Sequence, residues 1–325
     1  MRVVDLAEKP EVDVSGSSPS SFGVLVAHGS AIDIETSAEW LQTATFTLTE
    51  DHSDDPRVVT VESVPEALAE LRRRCQHWPH ASTICDQVLR AAVCDRSTTS
   101  ALLIESLAYS TLQAGPEFAR WLAKRPPSRI QETPDPVLAW RDGDTLYVNF
   151  NRPKRHNAFS NDARAALLEA LTVACVDPSV SEVVLAGIGP SFCSGGDLAE
   201  FGTFRDPANA HLARMGHSPA LLLDDLTSRL GRHCRAEAHG SVLGSGLEMA
   251  AYCGWFSVRE DAVLGLPELE LGLIPGAGGT VSISRRIGRW RTAFLVLSGR
   301  FVDATTALAW GLVDAVHSAK SDVCA

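Results

Sequence analysis

Two glutamates stand beside glycine-rich stretches in the second half of the chain, and their surroundings suit them for chemistry. Glu248 ends the stretch Gly240-Ser-Val-Leu-Gly-Ser-Gly-Leu-Glu248, and Glu268 follows Leu266-Pro267. Glycine lets backbone N–H groups approach a ligand closely. A carboxylate beside such groups can move protons while negative charge develops on a bound carbonyl. The pair therefore predicts acid–base chemistry on a carbonyl compound, with one water handled by both carboxylates.

A third stretch, Gly189-Pro-Ser-Phe-Cys-Ser-Gly-Gly-Asp197, follows a predicted strand. Its Ser-Gly-Gly turn can direct backbone N–H groups at one oxygen atom. The plainer alternative is an ordinary loop before a helix that Asp197 caps. Each glutamate has a plain alternative as well. Glu248 would be a solvated residue in the first turn of a helix, and Glu268 a surface carboxylate, with Glu270 competing for any role given to Glu268.

Other catalytic and binding motifs fit the chain poorly. Neither glycine-rich stretch is a dinucleotide fingerprint, because Met249 and Val281 stand where that motif requires glycine, and no phosphate-loop lysine is present. Ser194 and Ser245 lie among glycines but outside a G-x-S-x-G motif. Cys193 is better interpreted as a small packed residue than as a nucleophile.

Composition limits the class of protein. The chain has 325 residues, 45% of them hydrophobic, and 24 glycines, which favours a soluble globular α/β protein. A formal net charge of −11 argues against a general nucleic-acid binder. The eight cysteines form no C-x-x-C pair or zinc spacing, so we expect no metal site, and reduced thiols in a cytoplasmic protein. We expect neither a signal peptide nor a membrane span.

The apolar patterns divide the chain into a flexible lead at 1–22, a mainly helical region at 23–132 and an α/β domain at 133–325, with a proline-rich linker over 126–136. The first region is predicted to hold strands at 22–27 and 58–61 and helices at 64–75, 81–93, 98–112 and 116–124. The last region alternates strands with helices, which indicates a layered α/β domain. Its predicted strands are 145–150, 183–187, 234–238, 255–258 and 312–316, and its predicted helices are 161–174 (capped by Asn161), 208–230, 246–253, 279–286, 289–298 and 303–310.

A series of motifs over about 137–316 resembles the enoyl-CoA hydratase/isomerase (crotonase) family. In order, these are 151–159 (Asn-Arg-Pro-Lys-Arg-His-Asn-Ala-Phe), 191–197, 239–248, 260–268, 275–280 (Pro-Gly-Ala-Gly-Gly-Thr) and 307–313. The resemblance implies a spiral of ββα turns that binds an acyl-CoA thioester. It implies no cofactor, because coenzyme A is part of the substrate, and the family's usual homotrimer or hexamer.

The resemblance also implies roles for individual residues. The backbone amides of Gly196 and Ser245 would form the oxyanion hole for the thioester oxygen. Glu268 would deliver a proton to the α-carbon, and Glu248 would position and deprotonate the water that attacks the β-carbon. The residues that would contact substrate are Lys154, His156, Ala158, Ser194, Gly196, Asp197, Leu198, Ala199, Gly244 and Ser245.

Three functions follow from the resemblance. Both glutamates are present, which favours an enoyl-CoA hydratase of fatty-acid metabolism, such as β-oxidation, over members that only shift a double bond. A second reading is another crotonase-type reaction, such as enoyl-CoA isomerisation or C–C cleavage, because one fold supports many chemistries. A third is a non-catalytic acyl-CoA-binding protein.

The chain also departs from the family. Ser245 replaces a usual glycine, and Gly254 stands where aspartate is common. The family usually continues with several helices, whereas about a dozen residues follow Val313 here. Residues 98–127 resemble those helices. We therefore hypothesise that residues 58–128 do the work of the usual tail, by permutation or as the remnant of a duplicated domain. The alternative is an unrelated helical domain, and packing of 98–127 far from Gly196 and Ser245 would contradict the hypothesis.

Overall fold

The computed structural model describes residues 1–8, 23–92, 97–126, 128–130, 133–204 and 206–318. The strands are β1 Arg2–Asp5, β2 Leu25–His28, β3 Phe46–Thr49, β4 Val58–Thr60, β5 Val137–Asp142, β6 Thr145–Phe150, β7 Glu182–Gly187, β8 Cys234–Ala238, β9 Ser241–Leu243, β10 Trp255–Arg259, β11 Val263–Gly265, β12 Val302–Asp303 and β13 Ala315–His317. The helices are α1 Ala31–Glu35, α2 Ala38–Thr43, α3 Val64–His77, α4 Pro79–Ala92, α5 Thr98–Gln113, α6 Pro116–Lys124, α7 Asn161–Val176, α8 Pro207–Gly216, α9 Pro219–Leu230, α10 Ser245–Ala250, α11 Gly279–Ser298 and α12 Ala304–Ala309. None of the helices in these ranges is long and apolar enough to cross a membrane.

The first region contains a four-stranded parallel sheet in the order β1-β2-β3-β4, of which the sequence predicted two strands. The expectation of a flexible lead is wrong for residues 2–5, because β1 pairs in parallel with β2. Leu6, which follows β1, is buried in a small apolar cluster with Ile34 and Leu41. That burial holds the first strand against the sheet. Residues 9–22 of the predicted lead lie outside the described residues.

The second region is built on a six-stranded sheet in the order β13-β10-β8-β7-β6-β5. Its pairs are parallel except for the β5–β6 hairpin. Val183, Val184 and Leu185 of β7 are all buried, as a parallel strand covered on both faces requires. A smaller sheet, β12-β11-β9, lies beside the segments that carry the two glutamates.

Some predicted boundaries differ from the structure. The predicted helix over 208–230 is two helices, because Ser218 is extended and Pro219 begins α9. By contrast, the predicted pair 279–286 and 289–298 is confirmed as two helical segments of α11, because Gly288 between them has a non-helical φ of 76° and ψ of 158°. Ser160, not Asn161, caps α7, since its hydroxyl accepts a hydrogen bond from the amide of Ala163 at 3.2 Å. The strand expected at 312–316 runs from 315 to 317.

Both regions share one hydrophobic core. Helix α11 of the second region packs against α3, α4, α5 and β3 of the first. The rings of Phe46 and Phe294 meet edge to face across this boundary, with centroids 5.5 Å apart. The first region is therefore packed onto the domain that carries the predicted site.

Candidate active site

One cavity of about 140 Å³ collects groups from both regions of the chain. From the second region it is lined by Gly196, Asp197, Ser245, Glu248 and Glu268, among others, and from the first by Tyr109 and Gln113. All four residues predicted to act in catalysis thus border the same space. The cavity also receives two side chains that the sequence analysis did not single out, Arg164 and Arg214.

The backbone N–H of Gly196 points away from the neighbouring segment at Phe159. Gly195 O accepts a hydrogen bond from Phe159 N at 2.8 Å, and Asp197 N donates to Phe159 O at 2.9 Å. Successive N–H groups of extended backbone face opposite sides. Gly196 N–H therefore faces the side opposite Phe159, and none of the described residues accepts a hydrogen bond from it.

The second free amide belongs to Ser245, the first residue of α10. The first N–H groups of a helix have no acceptor within the helix, and no acceptor for this amide lies among the described residues. Gly244 turns the chain into α10 with a φ of 49°. A Cβ at Gly244 would lie 2.6 Å from Glu268 Oε1 and 3.5 Å from the Cα of Gly195. Only glycine allows the two amide-bearing segments and this carboxylate to meet so closely.

Glu248 is buried in the first turn of α10, with 2% of its surface exposed. Its Oε2 accepts hydrogen bonds from the amides of Ala277 at 2.7 Å and Gly279 at 2.8 Å. Burial and the nearby charges of Glu268 and Glu105 raise its pKa well above the usual value, while the two amides act in the opposite direction. A solvated first-turn glutamate, the plain alternative, does not match this burial.

Glu268 opens a short 3₁₀ turn, Glu268–Leu271, and is 9% exposed. Its Oε2 is buried without a hydrogen-bond partner among the described residues. Burial, with a contribution from the charge of Glu105, raises its pKa to about 8. Its competitor Glu270 has a side chain that is 58% exposed and pairs with Arg74 at 3.3 Å. The structure thus brings Glu268, and not Glu270, to the cavity.

A third buried carboxylate, Glu105 of α5, was missed by the sequence analysis. It accepts hydrogen bonds from the amides of Gly278 at 2.8 Å and Thr280 at 3.0 Å, and from the Thr280 hydroxyl at 2.6 Å. The four successive amides of 277–280 thus alternate between Glu248 and Glu105. Burial raises the pKa of Glu105 to about 7, against the hydrogen bonds from Thr280. The spacing of α5 could have indicated that Glu105 is buried, because Glu105 lies on the same apolar helix face as Leu102 and Tyr109.

Asp197 has a structural role in this arrangement. Its carboxylate pairs with Arg152 at 2.8 Å and Arg155 at 2.9 Å, and accepts a hydrogen bond from Ala199 N at 3.0 Å. Burial would raise its pKa, but the hydrogen bonds from Arg152 and Ala199 and the positive charges outweigh it, so the pKa is lowered. Asp197 caps the turn at Leu198–Glu200, as the plainer sequence interpretation expected.

The other residues expected to contact substrate do not line the cavity. Lys154, His156 and Leu198 are exposed, Ser194 is half-buried, and Ala158, Ala199 and Gly244 are buried. His156 Nδ1 lies 2.9 Å from the Ser191 hydroxyl, and its carbonyl accepts a hydrogen bond from Ser194 N at 2.9 Å. These residues surround the loop that presents Gly196.

Residues 98–126 pack directly against the site. Gly276 and Gly202 border the cavity, and a Cβ on either would strike Tyr109 of α5 at 2.4 Å or Leu122 of α6 at 2.8 Å. Arg125, just after α6, donates hydrogen bonds to the carbonyls of Phe201 at 3.1 Å and Ala199 at 3.3 Å, and to that of Leu198. The distant packing that would contradict the hypothesis for residues 98–127 is therefore not seen for its described part.

Comparisons with known proteins identify the family of this chain. A family model described as enoyl-CoA hydratase/isomerase matches residues 142–324. "Probable enoyl-CoA hydratase 2, mitochondrial" of Arabidopsis thaliana is 35% identical over 178 residues, which are 54% of this chain and 58% of that protein. "2,3-dehydroadipyl-CoA hydratase" of Escherichia coli K12 is 34% identical over 180 residues, 55% of this chain and 68% of that protein. The chain thus spans about three fifths of the Arabidopsis relative.

Solved structures resemble the second region. The crystal structure of an enoyl-CoA hydratase/carnithine racemase from Magnetospirillum magneticum aligns with a TM-score of 0.52 at 27% identity, covering 58% of this chain and 70% of that one. The crotonase-like fold expected from the motifs is confirmed. Residues 23–132 lie outside the family match.

Proposed function

Because this chain belongs to the enoyl-CoA hydratase/isomerase family, we propose that it adds water across the 2,3 double bond of a 2-enoyl-CoA. One observation carries the proposal. Two backbone amides that have no acceptor among the described residues, of Gly196 and Ser245, and two buried carboxyl groups, of Glu248 and Glu268, border one cavity. Hydration of a thioester-conjugated double bond needs both kinds of group.

The amides would hold the thioester oxygen. When water attacks the β-carbon, electrons move through the α-carbon to that oxygen, which becomes enolate-like. Two N–H donors fixed by backbone hold such charge without reorganising, and one donor is typically worth about 3–4 kcal/mol. In the proposed step the water oxygen bonds to the β-carbon, Glu248 takes a proton from that water, and Glu268 gives its proton to the α-carbon. The product is a 3-hydroxyacyl-CoA, and no redox change or metal is required.

The hydrogen bonds favour this division of roles. Two buried carboxyl groups near each other retain one proton between them more easily than they bear two charges. Two amides donate to Glu248, whereas Glu268 Oε2 has no partner among the described residues. We therefore assign the charge to Glu248 and the proton to Glu268. Burial raises the pKa of both groups, that of Glu268 to about 8, so the assignment rests on the hydrogen bonds: the amides of Ala277 and Gly279 favour the charged form of Glu248, and Glu268 keeps the proton that it would donate.

We further propose that α5 and α6 act in the place of the family's C-terminal helices. Their support is the packing of Tyr109, Leu122 and Arg125 against the site. The homotrimer or hexamer usual in the family and a cytoplasmic location remain proposals from the sequence. Light scattering of the purified protein tests the first, and fractionation of the source cells tests the second.

The assay of the wild-type protein tests the main proposal. We expect loss of the enoyl absorbance of crotonyl-CoA, with one 3-hydroxybutyryl-CoA formed for each substrate consumed. Conversion of 3-enoyl-CoA to 2-enoyl-CoA without a hydroxylated product would replace hydration by isomerisation. Tight binding of acyl-CoA with no turnover of either substrate would make the chain a binding protein.

A further inference from the structure

Two arginines border the cavity, and the hydration step uses neither. Arg164 lies on α7 and Arg214 on α8, and both side chains are half-buried. They lie near enough for the charge of Arg164 to lower the pKa of Arg214. A guanidinium removed from water needs a partner, and Arg is the side chain best suited to a planar anion.

Arg214 is fixed by uncharged partners from α5. Its Nε donates to the Ser106 hydroxyl at 3.1 Å, its Nη1 lies 3.4 Å from Gln113 Oε1, and its guanidinium lies over the Tyr109 ring, 4.5 Å from the centroid. These contacts set the direction of the guanidinium, and they are the contacts of an oriented binding group. The charge of Glu105 favours protonated Arg214, but no carboxylate among the described residues forms an ion pair with it.

Arg164 has fewer partners still. Among the described residues, its Nη1 donates a hydrogen bond to Asn161 Oδ1 at 3.3 Å, and its guanidinium lies over the face of Phe159, 5.8 Å from the ring centroid. A guanidinium has five N–H donors. Glu200 also borders the cavity, but its carboxylate is engaged by the amide of Asn161 at 2.8 Å. Among the described residues, no carboxylate lies within 4.0 Å of Arg164 or Arg214.

Carboxylates also line the cavity, and the charge of Glu200 favours protonated Arg164, but neither arginine is in an ion pair with a carboxylate of the described residues. Two such guanidiniums can bind an anion together, and burial lowers the pKa of both without discharging them. The phosphates of coenzyme A are separated from the thioester by the whole pantetheine arm. The same cavity of about 140 Å³ holds the Gly196 and Ser245 amides that would bind the thioester. An anion inside it must therefore lie close to the reacting carbons, which places it on the acyl group.

We propose that the acyl group of the substrate carries a carboxylate, held by Arg164 and Arg214. This inference rests on the proposed function, because it takes the cavity as the acyl pocket. Recognition by two guanidiniums would make the protein select dicarboxylic 2-enoyl-CoA thioesters over unsubstituted ones.

Matched substrates test this selectivity directly. Glutaconyl-CoA and 2-pentenoyl-CoA share a five-carbon enoyl chain and differ by a terminal carboxylate against a methyl group. We expect kcat/KM to be about 10–100-fold higher for glutaconyl-CoA, the value of a charge-assisted hydrogen bond to a desolvated group. Equal values, or a preference for 2-pentenoyl-CoA, would overturn the proposal without any variant being made.

Arginine variants locate the effect. In Arg164→Met the ratio of the two kcat/KM values should fall by about 10-fold or more. Arg259→Met serves as the matched control, since Arg259 is a surface arginine paired with Asp261, and there the ratio should stay at the wild-type value. An equal loss for both substrates in Arg164→Met would mean that Arg164 binds the coenzyme A portion, and would refute the acyl carboxylate.

A binding measurement separates this inference from the proposed function. Calorimetry with glutaryl-CoA and pentanoyl-CoA compares the same two chain ends on saturated acyl groups. Tighter binding of glutaryl-CoA with no hydration of either enoyl substrate would retain the carboxylate site and reject the hydratase. Hydration of the enoyl substrates, with equal affinities for glutaryl-CoA and pentanoyl-CoA, would retain the hydratase and reject the carboxylate site.

Discussion

Residues 98–126 and residues 142–318 meet at one cavity but contribute different groups to it. The second segment matches the family model and supplies the amides of Gly196 and Ser245 and the carboxyls of Glu248 and Glu268. The first segment lies outside that match. Its Tyr109 lines the cavity, and its Glu105 binds backbone amides of the loop at 277–280. The comparison shows that the candidate site residues can belong to one segment of the chain while their positions depend on another segment.

Glu105 shows the division most clearly. It and Glu248 hold alternate amides of the same loop, 277–280, but only Glu248 lies on the cavity. The loop precedes α11, so both carboxylates also lie at the positive end of that helix. Glu105 is therefore a positioning residue in the proposed mechanism, acting through the loop that fixes Glu248.

The largest effects should come from the carboxyl groups of the reactive segment. Glu248→Gln and Glu268→Gln should each lower kcat by about 10²–10⁴-fold, because each removes a proton-transfer group. The measurement is steady-state hydration of crotonyl-CoA, with Glu270→Gln as the exposed control. Variants that retained wild-type kcat would move the chemistry away from these two residues.

The next effect tests the oxyanion donor. Ser245→Pro removes one N–H at the first helical position, where proline is tolerated, and should lower kcat by about 10²–10³-fold. Ser245→Ala keeps the N–H and should stay near wild type. Comparable losses in both variants would show that the Ser245 side chain, and not its amide, is what matters.

Substitution of Glu105 should lower kcat less than the substitutions above, and it should also lower the stability of the fold. Glu105→Gln places an amide NH₂ against backbone donors, so the free energy of unfolding should fall by about 1–3 kcal/mol, measured by denaturant titration. Through Glu248, kcat should fall and its pH profile should shift. Glu117→Gln is the matched control. Glu117 is buried to a similar degree and accepts hydrogen bonds from the amides of His80 at 2.8 Å and Ala81 at 3.0 Å. It does not line the cavity. If Glu117→Gln shifted the pH profile of kcat by the same amount as Glu105→Gln, Glu105 would have no specific role in positioning Glu248.

The pH dependence follows from the same groups. The pKa values of Glu105 and Glu268 are raised to about 7 and about 8 in the folded protein, so both prefer their protonated forms there. The stability that they contribute is present below their ordinary pKa near 4.5 and is lost as pH rises through 7 and 8. We expect the free energy of unfolding to fall over pH 5–8, less steeply in Glu105→Gln, and kcat to fall above about pH 8. Urea titrations and rate profiles across this range measure both, and a rate that rises above pH 8 would contradict a protonated Glu268.

The smallest effect should come from Arg125, which joins the end of α6 to the loop after Asp197. Arg125→Met removes its hydrogen bonds to the carbonyls of residues 198, 199 and 201, and should lower stability by about 1 kcal/mol. KM should rise while kcat changes little, because the loop borders the cavity without reacting. The surface variant Arg73→Met should change neither constant, and an unchanged KM in Arg125→Met would separate α6 from substrate binding.

The sequence predicted most of the longer elements of the second region, though not β5, β9, β11 or β12, and it named the candidate site residues. Strands at 145–150 and 234–238 have the predicted bounds, because apolar periodicity and turn residues are local properties of the chain. The order of the motifs identified Gly196, Ser245, Glu248 and Glu268 as candidate site residues, and the structure places all four at one cavity. Local patterns did not reveal β1 or β3, which are four-residue strands held by pairing and burial in the first region.

The tertiary structure alone decided which charged groups line the cavity and which support it. Arg164 and Arg214 line it from two helices, Glu105 supports the 277–280 loop from a third, and no local spacing relates a residue at 105 to amides at 278 and 280. Their pKa values and partners depend on burial and on neighbours distant in sequence, which exist only after the regions pack around one core. The sequence thus named the two glutamates, whereas folding set their burial and hydrogen bonds and supplied the groups that surround them.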